Sequence, residues 1–434
     1  MYFLRAGETV TQGPRKASDM SETLKFIHAS DLHLDVSISG LLELPQHLIE
    51  VLANAPYHAA TKIFDTAVAE RVDFVLLAGD LFDIESNNAR SAAFLLNQFR
   101  RLNDKGIEVY WVAGECDHPD RWPGSIELPS NVVTFSSSVV EHVEYRRDSV
   151  SLARIMAASY DPKRRSGSEF LPPEDNMFNI ALTHGEYEPS TLTGKHVDYW
   201  AMGGRHKSSK LEKSDTVVIY PGTPQSRSPK ETGLSGFKIC RIDSTGKLRV
   251  QTVESDRVRF LPQKVAISER VQMKELKNEL TERALKVISD TTDQIVLTSW
   301  YLTTDGDFNP LIRKPEWAAE VLEWLRDEFG RGDKGMWSTS VRIETPDNMP
   351  IDWYEEDTLL GEYLRAMGRY QSDESLKLNL HPLMPQTVNN KVTAGMTDVS
   401  LNRRSEVLRK AMLLGVEYLA EHKIYTPDDS IVPI

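Results

Sequence analysis

Side chains that bind metals or move protons recur directly after five predicted strands. The segments SDLHLD, GDLFD, GECDH, THGE and GGRHK each follow an apolar stretch of strand length in the first half of the chain. Carboxylate, imidazole and thiol groups hold catalytic metals and act as acids or bases. Because ligands gather where the carboxyl ends of strands meet in an α/β sheet, we expect these groups to form one site.

The spacing within two of these segments indicates what the site would bind. Asp31 and His33 are two positions apart, so on an extended segment both would point to the same side. Asp80 has two oxygens and could bridge two cations about 3.5–4 Å apart, a separation that suits phosphoryl transfer. Mixed His and carboxylate ligation suits Mn, Fe or Zn better than Mg or Ca. The sequence therefore predicts two divalent metal ions, with Mn favoured.

The elements that must position these residues alternate between strands and helices. Strands are predicted at LKFIHAS, VDFVLLAG and IEVYWVAG, with helices at YHAATKIFDTAVAER and SAAFLLNQFRRLNDKG between them. This order indicates an α/β layered domain. Further strands follow after about residue 130, at NVVTF, SVSLARIMAAS, MFNIALTHG, HVDYWAMGG, TVVIYPG and GFKICRI. We expect them to form a second β layer that completes a domain spanning residues 23–255.

The rest of the chain has a different pattern. Residues 256–434 mix amphipathic helices with fewer strands, which predicts a smaller α+β capping or partner domain with a helical C-terminus. The stretch NLHPLMPQTVNNKVTAG reads as a loop. Residues 1–22 have no apolar core followed by a small-residue cleavage site, so they are interpreted as a disordered tail and not as a signal peptide.

Composition limits the classes of protein that fit. The chain has 434 residues, 40% of them hydrophobic, which is enough for a sizeable core. No apolar run approaches the ~18 residues that cross a bilayer, so no membrane association is expected. Two cysteines argue against a disulfide scaffold and favour the cytoplasm. A net charge of −13 argues against coating nucleic acid through bulk positive charge, although it leaves phosphate chemistry open.

With these motifs, the chain resembles the calcineurin-like metallophosphoesterases, and within them the SbcD/YhaO-type DNA-repair exonuclease branch. The pattern of that family runs D-x-H, G-D-x-x-D, G-N-H-[DE], a lone His and G-H-x-H. This sequence has DLH from Asp31, GDLFD from Gly79, GECD from Gly114, THGEY around His184, and GGRH from Gly203. The likeness covers roughly residues 24–255. It implies a layered β-sandwich flanked by helices, and the C-terminal half resembles the family's capping domain only in size and α+β character.

The resemblance also implies a set of metal ligands. The first metal would be held by Asp31, His33, Asp80 and His206. The second would be held by Asp80, Glu115 and His184. In the family, one more histidine completes the second set.

Three positions depart from the family pattern. Glu115 replaces an asparagine and keeps an oxygen ligand, whereas Gly204 replaces the last histidine of the second metal and offers none. Cys116 replaces the histidine that assists protonation of the leaving group, and we expect it to be a small packing residue. His118 is then the candidate acid. A one-residue slip that places Asp117 and His118 over the family's Asn-His pair stays open.

The resemblance implies a metal-dependent phosphodiesterase that acts on DNA, with hydrolysis by metal-bound hydroxide at a two-metal site and with activity that the altered motifs could impair. Arg205, Lys207, Arg227 and Lys230 are candidate contacts to phosphate. The implied partners are DNA, a coiled-coil ATPase and a second copy of the chain. Two alternatives stay open: a weakened scaffold that binds nucleic acid or an ATPase, and a small-molecule phosphoesterase.

Overall fold

The computed structural model describes most of the chain between residues 24 and 419. The described ranges are 24–39, 41, 43–84, 89–118, 127–192, 196–213, 216–267, 271–291, 293–304, 315–331, 335–344, 351–373, 375–376, 378 and 401–419. The predicted N-terminal tail and the predicted loop NLHPLMPQTVNNKVTAG lie outside them.

The chain divides into two compact units. The first comprises Met1–Gln263, Glu282–Ser299 and Trp324–Ser340, and the second comprises Lys264–Thr281, Trp300–Glu323 and Val341–Ile434. The domain limits derived from the sequence, and the capping role of the second half, stay predictions.

The first unit contains two six-stranded sheets. The first sheet has the order β12-β11-β1-β2-β3-β4, from β1 (Leu24–Ala29), β2 (Phe74–Ala78), β3 (Glu108–Val112), β4 (Val132–Thr134), β11 (Gly236–Ile242) and β12 (Leu248–Glu254). The second has the order β5-β6-β7-β8-β10-β9, from β5 (Glu141–Arg147), β6 (Val150–Ala158), β7 (Phe178–His184), β8 (Tyr199–Gly203), β9 (Ser209–Lys213) and β10 (Thr216–Tyr220). Strands β1 to β4 are mutually parallel, as are β6, β7, β8 and β10.

Alternation along the central strands builds the layers. In β1, Phe26 joins the core that both sheets share, whereas Ile27 joins a core on the other face of the first sheet. That outer core includes residues of helices α1 (Gln46–Glu70) and α2 (Ala89–Asn103). Because both faces of β1 and β2 are covered, these strands are almost continuously apolar. The predicted class, a layered β-sandwich flanked by helices within an α/β domain, is confirmed.

Helix α1 begins earlier than its sequence pattern predicts. It runs from Gln46, 11 residues before the predicted start at Tyr57, and contains Pro56 in its interior. Proline lacks an N–H group and usually marks a helix end, which is why the pattern favours a start after it. The added turns are retained because Leu48 and Leu52 are buried against β13 (Val258–Phe260) and β15 (Ile295–Thr304).

The remaining elements are helices and strands from the later part of the described chain. They are β14 (Gln263–Ile267), α3 (Met273–Asp290), α4 (Pro315–Phe329), β16 (Met336–Glu344), α5 (Ile351–Glu355), α6 (Leu359–Ser372) and α7 (Leu401–Leu419). Within the second unit, Leu360 and Leu364 of α6 pack with Met412 and Val416 of α7. Among the described residues, no helix has the length and apolar character that crossing a bilayer requires.

Candidate metal centre

The predicted site residues follow the ends of five strands. β1, β2 and β3 of the first sheet end two or three residues before Asp31, Asp80 and Glu115. In the second sheet β7 ends at His184, and β8 ends three residues before His206. Within each sheet these strands are parallel, so their carboxyl ends lie at one edge. The fold thus brings distant segments of the chain to one place.

The backbone reaches this arrangement differently from the prediction. Asp31, His33 and Asp80 have φ values of 55°, 41° and 56°, so each occupies the left-handed region, which few residues other than glycine adopt. Asp31 and His33 therefore do not converge through the alternation of an extended strand. The turn is fixed instead by backbone hydrogen bonds from Asp31 to Gly79 and from His33 to Asp80, at 2.9 and 3.0 Å.

Five of the six predicted metal ligands come together in the structure. Ligand atoms lie within 4.8 Å of one another in three overlapping groups: Asp31, His33 and His206; His33, Asp80 and Cys116; and Asp31, Asp80 and His184. Because His33, Asp80 and Asp31 each belong to two groups, the groups form one continuous centre.

Asp80 lies at the middle of this centre. Its Oδ2 atom is 3.7 Å from Nε2 of His33 and 3.5 Å from Nε2 of His184. Its other oxygen, Oδ1, accepts a hydrogen bond from the backbone N–H of Cys116 at 2.9 Å. One oxygen therefore faces both histidines while the other anchors the loop after β3.

Hydrogen bonds hold His184 and Asp31 in place. Nδ1 of His184 is 2.8 Å from the carbonyl oxygen of Ala78, to which its N–H donates, and this hydrogen bond directs Nε2 at Asp80. Burial lowers the pKa of His184, but the charges of Asp80 and Asp31 outweigh it and raise the pKa overall. Asp31 accepts from the backbone N–H of Gly204 at 3.1 and 3.2 Å, and its burial raises the pKa of its carboxyl group.

His206 lies at the outer side of the centre. Its ring meets that of His33 edge to face, with centroids 5.3 Å apart. Nδ1 of His206 is 2.9 Å from a carboxylate oxygen of Glu231, and the guanidinium of Arg227 is 2.9 Å from the same ring. Arg227, a predicted phosphate contact, is thus engaged with His206. Its charge adds to burial in lowering the pKa of His33 to about 3.

The loop after β3 buries Asp117 completely. Asp117 is fully buried and accepts hydrogen bonds at 2.5 to 3.1 Å from the backbone of Asp80, Leu81 and Gly114 and from the indole of Trp111. Burial and the charge of Asp80 raise the pKa of Asp117 to about 6. Asp117 therefore fixes the two ligand loops to each other, a role that its place in the motif did not reveal.

Glu115 and His118 belong to none of the three groups. The Glu115 side chain is exposed and hydrogen-bonds Tyr160, whose pKa is raised by burial and by this contact. His118 is half-buried. The roles given to them, as ligand of the second metal and as acid, stay predictions.

Cys116 was expected to be a packing residue, yet it is half-buried and its sulfur belongs to a ligand group. Burial and the charge of Asp80 raise the pKa of its thiol to about 12, so it is a poor proton donor near neutral pH. The sequence signal that it could bind a metal was its position after the third strand.

A cleft of about 530 Å³ opens beside the centre. Its lining residues come from the segment after β8 and from the turn after β7: Glu186, Gly204, Arg205, His206, Lys207, Ser208 and Ser209. The guanidinium of Arg205 lies 4.5 Å from the ring of Tyr220, and Lys207 is exposed. The cleft thus presents one ligand of the centre together with two cationic side chains.

The donor set fits divalent cations. Nε2 of His33 is buried and has no hydrogen-bond partner among the described residues, so a strong acceptor is left for another group. Imidazole and carboxylate donors around it suit Mn, Fe and Zn. The metal ions would be held by the three groups already described, and their identity is a separate question.

Comparison with known proteins gives the family. The family model for calcineurin-like phosphoesterases matches residues 24–217. The metallophosphoesterase YhaO of Bacillus subtilis, described as uncharacterized, is 31% identical over 325 residues, which cover 71% of this chain and 77% of YhaO.

Two archaeal proteins named DNA double-strand break repair protein Mre11 are more distant relatives. The protein of Saccharolobus solfataricus is 22% identical over 46% of this chain and 54% of its own length, and that of Methanosarcina mazei is 21% identical over 80% and 55%. The matches thus span about half the length of these Mre11 proteins. The family predicted from the strand-end motifs is confirmed, and the chain belongs to the calcineurin-like phosphoesterase family.

Proposed function

We propose that this chain is a metal-dependent phosphodiesterase that acts on DNA. The observation that carries the proposal is the position of Oδ2 of Asp80, which faces Nε2 of both His33 and His184 where three ligand groups overlap. DNA is favoured as substrate because several relatives are named as double-strand break repair proteins.

Divalent cations held at this centre would supply Lewis acidity and stabilise the charge that develops on a phosphoryl group. Residues of the chain position the ligands and contact the substrate. Asp117 keeps the ligand loops in register, and the backbone N–H of Gly204 orients the buried carboxylate of Asp31. Arg205 and Lys207 line the cleft, where they can hold the phosphate backbone next to the ligands.

The metal identity and the partners are part of the proposal. Mn is the ion proposed for the ligands that are only carboxylate and imidazole, with Fe or Zn as alternatives. A coiled-coil ATPase and a second copy of the chain are the partners implied by the family resemblance.

The test compares the chain with an Asp80→Asn variant on linear duplex DNA, single-stranded DNA and a small chromogenic phosphodiester, with and without Mn²⁺. We expect Mn²⁺-dependent cleavage of DNA by the wild type and a loss of about 100-fold or more in Asp80→Asn. Asp104→Asn is the matched control, since it makes the same change at an exposed position after α2 and should keep full activity.

Each other result contradicts part of the proposal. Cleavage of the small diester without DNA would exclude DNA as substrate and favour a small-molecule phosphoesterase. Equal inactivity of wild type and Asp80→Asn on all substrates would overturn the catalytic proposal and favour the scaffold alternative.

A further inference from the structure

We propose that Cys116 is a thiolate ligand in the metal centre, and that His33, Asp80 and Cys116 form a site which selects a thiophilic cation such as Zn²⁺ over Mn²⁺. The proposal rests on the proposed function in one respect: it requires that the centre bind a divalent metal. From its sequence position, Cys116 was expected only to replace the family's acidic histidine without taking over its role.

The first line of support is geometric. The sulfur of Cys116 and ligand atoms of His33 and Asp80 all lie within 4.8 Å of one another. With metal–ligand bonds of about 2.0–2.3 Å, ligand atoms around one tetrahedral ion lie roughly 3.3–3.8 Å apart. The 3.7 Å between Nε2 of His33 and Oδ2 of Asp80 is slightly longer than the roughly 3.3–3.5 Å expected for a nitrogen and an oxygen ligand of one ion, so a small movement of either side chain would let both bind it. A small rotation of the Cys116 side chain would place its sulfur at a third ligand position of the same tetrahedral ion.

The second line of support is independent of the cysteine. His33 is 6% exposed, and its Nε2 atom has no hydrogen-bond partner among the described residues. This is the same nitrogen that faces Asp80. A buried polar nitrogen without a partner is destabilising, so its retention supports a ligand that satisfies it.

The loop geometry explains why Cys116, and not its neighbour, takes this place. The backbone N–H of Cys116 donates to Oδ1 of Asp80 at 2.9 Å, which fixes the start of the cysteine side chain beside the centre. The exposed carboxylate of Glu115 instead hydrogen-bonds Tyr160. Buried Asp117 anchors the other side of the loop by accepting from Asp80 and Leu81.

The chemistry of the donors sets the metal preference. Thiolate ligands select soft or borderline cations such as Zn²⁺, whereas Mn²⁺ prefers oxygen donors. One sulfur, one nitrogen and one oxygen ligand with an open position is a combination that catalytic zinc accepts. On binding, the S–H bond breaks, sulfur donates an electron pair to the cation, and the proton passes to the buffer. No oxidant or reductant is needed.

Cobalt is the probe, because Co²⁺ reports its ligands by absorbance. The full-length chain is depleted of metal with a chelator and titrated with Co²⁺. We expect visible bands from bound cobalt and, in the near ultraviolet, a sulfur-to-cobalt charge-transfer band. Cys116→Ser should keep the visible bands and lose the charge-transfer band. Cys240→Ala is the matched control, since the other cysteine of the chain is buried in the core between the sheets and should not affect either band.

Competition with Zn²⁺ and Mn²⁺ gives a second readout. Cys116→Ser should weaken Zn²⁺ binding by at least about tenfold and leave Mn²⁺ binding nearly unchanged. Circular dichroism checks that the variant folds. If it does not, cadmium NMR of the wild-type chain replaces it, with a resonance in the range of sulfur-containing sites expected.

The outcomes separate this inference from the proposed function. Bound cobalt without a charge-transfer band in the wild type, or a band that persists in Cys116→Ser, would overturn the thiolate ligand while the metal centre stands. Failure of the wild type to bind any of these cations would overturn the metal centre, and the proposed function with it.

Discussion

At the scale of single residues, the centre depends on atoms that the motif pattern does not describe. Asp31, His33 and Asp80 were predicted as ligands from their types and positions, and the structure brings them together. Their left-handed φ values were not predicted, because a sequence pattern does not report which residues leave the strand by a turn. The hydrogen bonds that support these turns come from residues distant in the chain, such as Gly79.

Gly204 is the residue where restoring the family pattern should fail. Its φ is +98°, and a Cβ atom there would lie 3.1 Å from the N atom of Gly185 and 3.2 Å from Nε2 of His184. We expect Gly204→His to lower the free energy of unfolding by about 1–3 kcal/mol, because the side chain meets both a strained φ and close neighbours. Urea denaturation measures the change.

A matched control separates the two causes. Gly233 has a φ of +97°, and a Cβ atom there would have no neighbour within 4 Å. Gly233→His therefore reports the cost of the backbone conformation alone and should be less destabilising. A Gly204→His variant as stable as the wild type, with more bound metal, would show that the position accepts a ligand after all.

At the scale of elements, the central strands were predictable, whereas three of the four edge strands of the two sheets were not. The apolar runs of β1, β2, β7 and β8 reflect burial on both faces. The strands without a sequence prediction include β5, β9 and β12, which are edge strands of the two sheets and rich in charged residues. Charged side chains protect exposed edges from unwanted pairing, and they hide the apolar pattern on which strand prediction depends.

In the second half of the chain, too, some elements could be predicted from the sequence and others could not. The segment PEWAAEVLEWLRDEF is one of the amphipathic helices expected in residues 256–434, and α4 runs over it from Pro315 to Phe329, since its amphipathic period is clear and its leading proline marks the start. Helix α5 has only five residues, Ile351–Glu355, too few to show a period. Tertiary packing stabilises it instead, since Trp353 of α5 packs against the apolar cluster formed by α6 and α7.

One side chain joins the two sheets of the first unit. Asp73, just before β2, accepts hydrogen bonds from the backbone N–H of Lys25 at 2.8 Å, from the hydroxyl of Tyr145 at 3.0 Å and from the guanidinium of Arg147 at 3.1 Å. We expect Asp73→Ala to lower the free energy of unfolding by about 1–3 kcal/mol, because the half-buried guanidinium of Arg147 and the hydroxyl of buried Tyr145 lose their acceptor.

The control for this prediction is an exposed ion pair on the same unit. Asp65 pairs with Arg101, and both side chains are at least 40% exposed. Asp65→Ala should cost less than about 1 kcal/mol, since surface pairs contribute little. Equal losses in the two variants would contradict the special role given to Asp73. Urea denaturation of both variants against the wild type makes the comparison.

At the scale of the whole molecule, the net charge of −13 constrains how DNA could be bound. Attraction to a polyanion must come from local cations, and the cleft supplies Arg205 and Lys207. Each phosphate contact contributes about −0.9 to the slope of log affinity against log salt on duplex DNA. Two phosphate contacts therefore predict that DNA affinity falls only slowly as the salt concentration rises. The measured slope therefore distinguishes a cleft that contacts a few phosphates from a protein surface that contacts many along the duplex.

The double variant Arg205→Gln with Lys207→Gln tests this reasoning. We expect weaker duplex binding and a salt slope smaller in magnitude by about two, measured by fluorescence anisotropy in an Asp80→Asn background that prevents cleavage. The control, Lys105→Gln with Arg249→Gln, removes the same charge from exposed residues on other elements and should leave the slope unchanged. Equal effects in the two double variants would mean that overall charge, and not the cleft beside the metal centre, governs binding, because the local contacts would then contribute nothing specific.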